Sequence, residues 1–166
     1  MPVHSRWWIT FCAYVALNSV TYAQAPTATI GVRAYVPPAC STSTLDYGVL
    51  NFGTHGSLDS LIHVTSTEGA GTIQVTCVEG LSYSIELDRG LNADGEQRYM
   101  RSAANEKVRY QLFSNPQLTD LWVPDTPINK VGTGLVQHIP LYGRVPRQTT
   151  PSVGAYSDTV SVTVKW

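Results

Sequence analysis

The chain has 166 residues, 43% of them hydrophobic and only 14% charged, with 11 basic side chains against 12 acidic ones. That balance, with no run of Lys or Arg, gives no electrostatic support to nucleic-acid binding. So few charges suit a surface that packs against further copies of the chain.

Residues 1–23 read as a secretory signal peptide. Arg6 precedes an apolar run from Trp7 to Leu17, and small residues follow, with cleavage expected after Ala23. The run falls short of the roughly 20 apolar residues that span a bilayer. Removing 23 residues from 166 leaves 143, enough for one domain with a real core. Arg6 leaves with the leader, so 10 basic and 12 acidic residues remain, a net charge of −2. Cys12 leaves too, and it lacks the usual lipoprotein cleavage pattern. Cys40 and Cys77 remain, an even number in an exported protein, and read as one structural disulfide.

The segment TATIGVRAYVPPAC (27–40) alternates. Ala28, Ile30, Val32, Ala34 and Val36 share one face, and Thr29, Gly31, Arg33 and Tyr35 the other. Such a face belongs either to a first core strand or to an arm that buries itself in another molecule. Further along, Ile73, Val75 and Cys77 alternate in GTIQVTC, and Tyr83, Ile85 and Leu87 in YSIEL. Val108, Tyr110 and Leu112 do the same in VRYQL. Residues 135–145 place Leu135, Ile139, Leu141 and Val145 on one side, with Pro140 demanding an edge or a bulge. The chain ends in YSDTVSVTVKW (156–166), where Val160, Val162, Val164 and Trp166 share a face. Turn signals such as Arg89-Gly90 and Asp94-Gly95 separate these runs. Period-two strands with regular turns predict an all-β sandwich of the immunoglobulin type. Cys40 lies too near the start for the central cysteine pair of an antibody domain.

Catalytic patterns are thin. His63 and His138 read as strand residues and His55 as a solvated turn residue. Glu86 and Asp88 share a strand face that reads as solvated, and Asp94 and Glu96 flank a hairpin glycine. Trp122 reads as a cap on the core. No metal-binding, nucleophile-elbow or phosphate-loop motif occurs.

Six phrases then stand in order: LNFGT (50–54), GTIQVTC (71–77), RYM (98–100), YQLFSNPQLTDLW (110–122), LYGRVP (141–146) and GAYSDTVSVTV (154–164). With the cysteine pair and the leader, they resemble the spore coat protein U domain. That family includes the pilin subunits of archaic, Csu-type chaperone–usher pili. The likeness runs from about residue 28 to residue 166.

The resemblance implies an incomplete immunoglobulin-like β-sandwich whose last strand is missing and is completed by a donated N-terminal strand. It divides the chain into a signal peptide (1–23), a donor arm with a Pro-Pro linker (24–38) and a pilin domain (39–166). The donor strand would be Ala28, Ile30, Val32, Ala34 and Val36, and the edge of the acceptor groove Val160, Val162, Val164 and Trp166. Nine residues at about 3.3 Å each reach roughly 30 Å, the length of a sandwich. Pro37-Pro38 stiffens the exit and favours insertion into a neighbour over folding back. The implied partners are neighbouring pilin subunits, a periplasmic chaperone and an outer-membrane usher, with no cofactor, nucleic acid or small-molecule substrate. The implied route is export through the periplasm to a cell-surface pilus that supports attachment and biofilm formation. Single-domain length argues against a tip adhesin. Two other readings stand beside this one: a self-contained surface or spore-coat binding module of the same fold, and a β-sandwich enzyme working through Trp122 and Asp125.

Overall fold

The computed structural model describes residues 31–42 and 46–166. The leader and the arm residues Ala28 and Ile30 lie outside them. Residues Val36–Trp166 form one compact unit. Residues 31–35 are exposed and in no strand.

Among the described residues there are ten strands and no helix. In chain order they are β1 (Cys40–Thr42), β2 (Ile62–Thr65), β3 (Ile73–Cys77), β4 (Ser82–Leu87) and β5 (Arg98–Arg101). Then come β6 (Lys107–Phe113), β7 (Ile128–Val131), β8 (Val136–Ile139), β9 (Tyr142–Val145) and β10 (Val162–Lys165). They form three sheets, ordered β1-β3-β8, β10-β4-β7 and β2-β9-β6-β5. Every strand pair is antiparallel.

The alternation read from the sequence sets the core. Ile73, Val75 and Cys77 of β3, Tyr83, Ile85 and Leu87 of β4, and Val108, Tyr110 and Leu112 of β6 are all buried in one cluster. Trp122 joins them, with its indole N–H donating to the Thr126 carbonyl at 3.3 Å.

Three expectations change. Residues 135–145 are two strands in two sheets: β8 pairs with β3, and β9 pairs with β2 and β6. Pro140 has no N–H to continue the ladder, so the chain crosses between sheets there. The corner is held by Ser66, whose backbone N–H donates to the Leu141 carbonyl at 2.8 Å and whose Oγ accepts from the Leu141 N–H at 2.7 Å. Leu135 is 73% exposed because it lies in the turn before β8, beyond the paired residues. The C-terminal run is regular strand only at Val162–Lys165. Its earlier part bridges elsewhere, Ser157 to Arg101 of β5.

A buried cation ties these parts together. Arg98 is 3% exposed. Its Nε donates to the Asp88 carbonyl at 3.0 Å, its Nη2 to the same carbonyl at 2.7 Å, and its Nη1 to the Trp122 carbonyl at 2.8 Å. One fork therefore satisfies the end of β4 and the loop carrying Trp122. Burial pulls the Arg98 pKa below its ordinary value, and Tyr110, Asp88 and Asp158 work against that. Beside it the Tyr110 hydroxyl donates to Asp158 at 2.7 Å, and burial followed by this bond raises the Tyr110 pKa. Gly90, at φ +81°, lets the backbone lie against the Asp158 carboxylate where a Cβ would collide.

Tyr156 begins the C-terminal run with a corner-like contact. Its hydroxyl lies 2.7 Å from the Ser152 carbonyl, four residues upstream, and 2.9 Å from Glu106. The bond from Tyr156, then those from Ser152, hold the Glu106 pKa below its ordinary value. A depressed carboxylate contributes stability above its unfolded value, about 4.5, and that stability is lost as pH falls through the folded value.

Two predictions follow from these contacts. Arg98→Ala strands the buried carbonyl of Trp122 and the part-buried carbonyl of Asp88 and should lower unfolding stability by about 3 kcal/mol in urea titration. Arg98→Lys should recover only part of this, since a point charge does not reproduce the fork. Tyr156→Phe should move the Glu106 titration, followed by carboxyl NMR, upward toward the ordinary carboxylate value. An unchanged Glu106 would mean that the hydroxyl bonds only to Ser152.

Candidate functional site

The two three-stranded sheets end on β1 and β10, and among the described residues neither strand has a second neighbour: β1 pairs with β3, and β10 with β4. A cleft of about 240 Å³ lies between them. One wall is Cys40, Ser41 and Thr42 with Tyr47, and the other is Val162, Val164 and Trp166. The volume lies below the ~300–1,000 Å³ usual for small-molecule pockets, so it suits side chains more than a free ligand.

The register explains the apolar wall. Val162 lies opposite Leu87 and Val164 opposite Ile85, so both valines point to the core face of β4. Val160, Val162 and Val164 are half-buried and rest on the core cluster. Trp166 is 62% exposed. The other face of β10 is polar, and Lys165 pairs with Glu86 at 2.6 Å.

The β1 wall is held by chemistry more than by packing. β1 has three residues, two of them exposed. Cys40 lies opposite Cys77 in the β1–β3 register and is disulfide-bonded to it, as expected from the sequence. The turn before β8 presses on the bridge: Gly132 has no room for a side chain, because a Cβ there would sit 2.8 Å from the Cys77 Cβ. Burial raises the Tyr47 pKa, opposed by a hydrogen bond with Thr42. Ser41, Thr42 and Tyr47 were not anticipated as wall residues. The clue was the disulfide, which obliges the residues after Cys40 to run beside β3.

Trp166 also lines a second cleft of about 500 Å³, with Tyr83, Lys130 and Val131 among its walls. The Tyr83 residue is 3% exposed, and its hydroxyl is buried with no hydrogen-bond partner. Burial raises its pKa. An orphaned buried hydroxyl costs about 1–3 kcal/mol.

Of the expected donor residues, Val32, Ala34 and Val36 are described; all three are exposed, Val32 at 89% and Val36 at 72%. The remaining candidates do not converge. His55, His63 and His138 are exposed and separate, with His55 Nε2 2.6 Å from the Phe52 carbonyl. Asp88 accepts from the N–H groups of Gly90 and Ser161, and Asp125 pairs with Arg89 at 2.8 Å. Among the described residues no group of three or more His, Cys, Asp or Glu is placed to hold a metal.

The geometry thus defines an all-β, immunoglobulin-like sandwich whose apolar cleft is bordered by the end strands of two sheets. Residues 26–163 match the Spore Coat Protein U domain. Protein U of Myxococcus xanthus is 33% identical over 169 aligned residues, covering 94% of this chain and 93% of that protein. The chain belongs to the Spore Coat Protein U domain family.

A chain in the crystal structure of the CsuC–CsuE chaperone–tip adhesion subunit pre-assembly complex, from archaic chaperone–usher Csu pili of Acinetobacter baumannii, shares the fold. Its TM-score is 0.52 at 24% identity, over 79% of this chain and 40% of that one. The present chain therefore spans less than half of that one. A chain of a chaperone–tip adhesin complex of CFA/I fimbriae matches with a TM-score of 0.45 at 12% identity, over 76% of this chain and 40% of that one.

The disulfide closes a loop of sequence separation 37, which contributes roughly 3–4 kcal/mol in the chain-entropy account. Replacing Cys40 and Cys77 with Ser should remove about that much in urea titration. Amide hydrogen exchange should rise first at Ser41 and Thr42. Uniform exchange across β1 and β3 would show that the bridge does not specifically hold the cleft wall.

Proposed function

We propose that the chain is a structural subunit of an extracellular chaperone–usher pilus that polymerises by donor-strand complementation. The observation that carries this reading is the cleft between β1 and β10. Each wall is a strand with one neighbour among the described residues, and the floor is half-covered apolar core. A strand laid there would join two three-stranded sheets through its backbone, while alternate side chains fill the floor.

The occupant in the fibre is the arm of the next subunit, residues 24–38, with Ala28, Ile30, Val32, Ala34 and Val36 as plugs. Val160, Val162, Val164 and Trp166 form the acceptor edge. Burying Ile30, Val32 and Val36 contributes roughly 1.5–3 kcal/mol each. The domain is 39–166, and residues 1–23 direct export. A periplasmic chaperone occupies the cleft in transit and an outer-membrane usher exchanges it for the arm. The fibre serves attachment and biofilm formation. In this reading the protein is structural and carries no catalysis.

The test compares the chains 24–166 and 37–166 in the periplasm, each with and without the cognate chaperone. Unheated denaturing gels should show ladders only for the longer chain, and both should need the chaperone to accumulate. Val164→Asp in the longer chain should abolish the ladders. Soluble, stable monomers of both chains without a chaperone would sink the proposal and leave a self-contained binding module.

A further inference from the structure

The sheet β2-β9-β6-β5 has one face on the core and one outside. Val108, Tyr110 and Leu112 of β6 and Val145 of β9 are buried, so the alternate residues form the outer face, where Phe113 is itself buried and Tyr99, Arg109, Gln111 and Arg144 are half-buried. Register places them side by side. Arg101 lies opposite Lys107 and Tyr99 opposite Arg109, and Arg144 stands between Gln111 and His63. No Asp or Glu occupies an outward position on these four strands. The chain has 11 Lys and Arg. Without Arg6 and Arg33, nine remain in residues 36–166, and four of the nine stand on this one face. In a chain of near-zero net charge that is a strong segregation.

Two of these cations lie over rings, and one of the two also bonds a side-chain amide. Arg144 lies over the Phe113 ring at 4.5 Å and donates twice to Gln111 Oε1, at 3.1 and 2.8 Å. Lys107 lies over the Tyr99 ring at 5.0 Å. Only Lys107 has an acidic partner, Asp94 at the rim, 3.5 Å away. Among the described residues Arg101, Arg109 and Arg144 belong to no ion pair. Cations stacked on rings keep their charge available and lose little freedom on binding an anion.

We infer that this face binds an acidic polysaccharide, a polymer carrying about one carboxylate per sugar. The number of cations and the side chains around them select the class. The four cations follow a diagonal in steps of about 5–8 Å, from strand separation and the rise of alternate residues. Duplex DNA is held by neutralising many phosphates at once, and four cations on a chain of near-zero net charge supply few such contacts. Arginine forks match carboxylates in a bidentate way, and the flanking Gln111, His63, Tyr99 and Tyr142 supply hydrogen bonds for hydroxyls. The face has no residue in the cleft between β1 and β10, so the inference stands whether or not that cleft takes a strand.

The experiment uses the full chain, exported by its own leader and purified in whatever assembly it forms. Polygalacturonate is the probe, dextran the neutral polymer and duplex DNA the denser polyanion. Polygalacturonate should bind, and bind more weakly at high salt, while dextran does not. Arg101→Gln with Arg109→Gln should weaken binding about tenfold. Adding Arg144→Gln should weaken it further, and Arg89→Gln should leave it unchanged. If Arg144→Gln does not fold because Phe113 is uncovered, the double variant alone decides. No binding above dextran, equal binding by the double variant, or tighter binding to DNA than to polygalacturonate would each overturn the inference. So would self-association of the chain that the double variant abolishes, since the face would then be contacting acidic groups of another copy.

Discussion

The Cys40–Cys77 bridge decides where the cleft can be. A three-residue strand with two exposed side chains has too little apolar surface to stay on a sheet by burial alone. The bridge pins its first residue directly opposite the last residue of β3, which lies wholly in the core. From there Ser41 and Thr42 must extend along β3, and the outer edge of β1 becomes one wall. The opposite wall needs no covalent help. Val162 and Val164 rest on Leu87 and Ile85 through four residues of register with β4. One wall is thus covalent and the other hydrophobic. Reduction would loosen the first and leave the second.

Much of the core was legible because period-two alternation reports a half-buried strand directly. β3, β4 and β6 place the residues expected of them in the interior. What escaped was information not carried by alternation. Asn129 and Lys130 give β7 no apolar rhythm, and its position comes from pairing with β4. Residues 135–145 look continuous because Pro140 does not disturb the parity of Ile139, Leu141 and Val145. It disturbs the ladder instead, and the chain changes sheets. Arg98 was visible as part of RYM, yet nothing local shows that its fork closes on carbonyls ten and 24 residues away. Val162, Val164 and Trp166, which line the cleft, were legible as part of an apolar row, whereas the facing wall required the disulfide partner. Val32, Ala34 and Val36 alternate as read, and they lie exposed outside any strand.

The cationic face makes the same point about charge. Composition shows near neutrality and the chain shows no basic run, so linear reading finds no anion-binding surface. The cations come from β5, β6 and β9, which are separated in sequence by up to some forty residues and adjacent only in the sheet. Antiparallel register brings Arg101 beside Lys107, and Gln111 beside Arg144. The acidic residues fall elsewhere, in loops and on β4, where Asp125 is tied by Arg89, Glu86 by Lys165 and Asp88 by backbone N–H groups. Folding sorts the charges that composition averages.

The two surfaces also differ in the kind of recognition they permit. The cleft offers backbone edges over an apolar floor, which suits an extended strand with apolar side chains at alternate positions. Its fit depends on shape and is little affected by salt. The sheet face offers three guanidinium forks and one ammonium, two of the four over rings, which suits a long, flexible anion whose hold weakens with ionic strength. A subunit that used both would lock to its neighbours through the first while contacting its surroundings reversibly through the second. The sheets keep those demands apart. β10 and β1 close two sheets at the cleft, and the cations belong to the third.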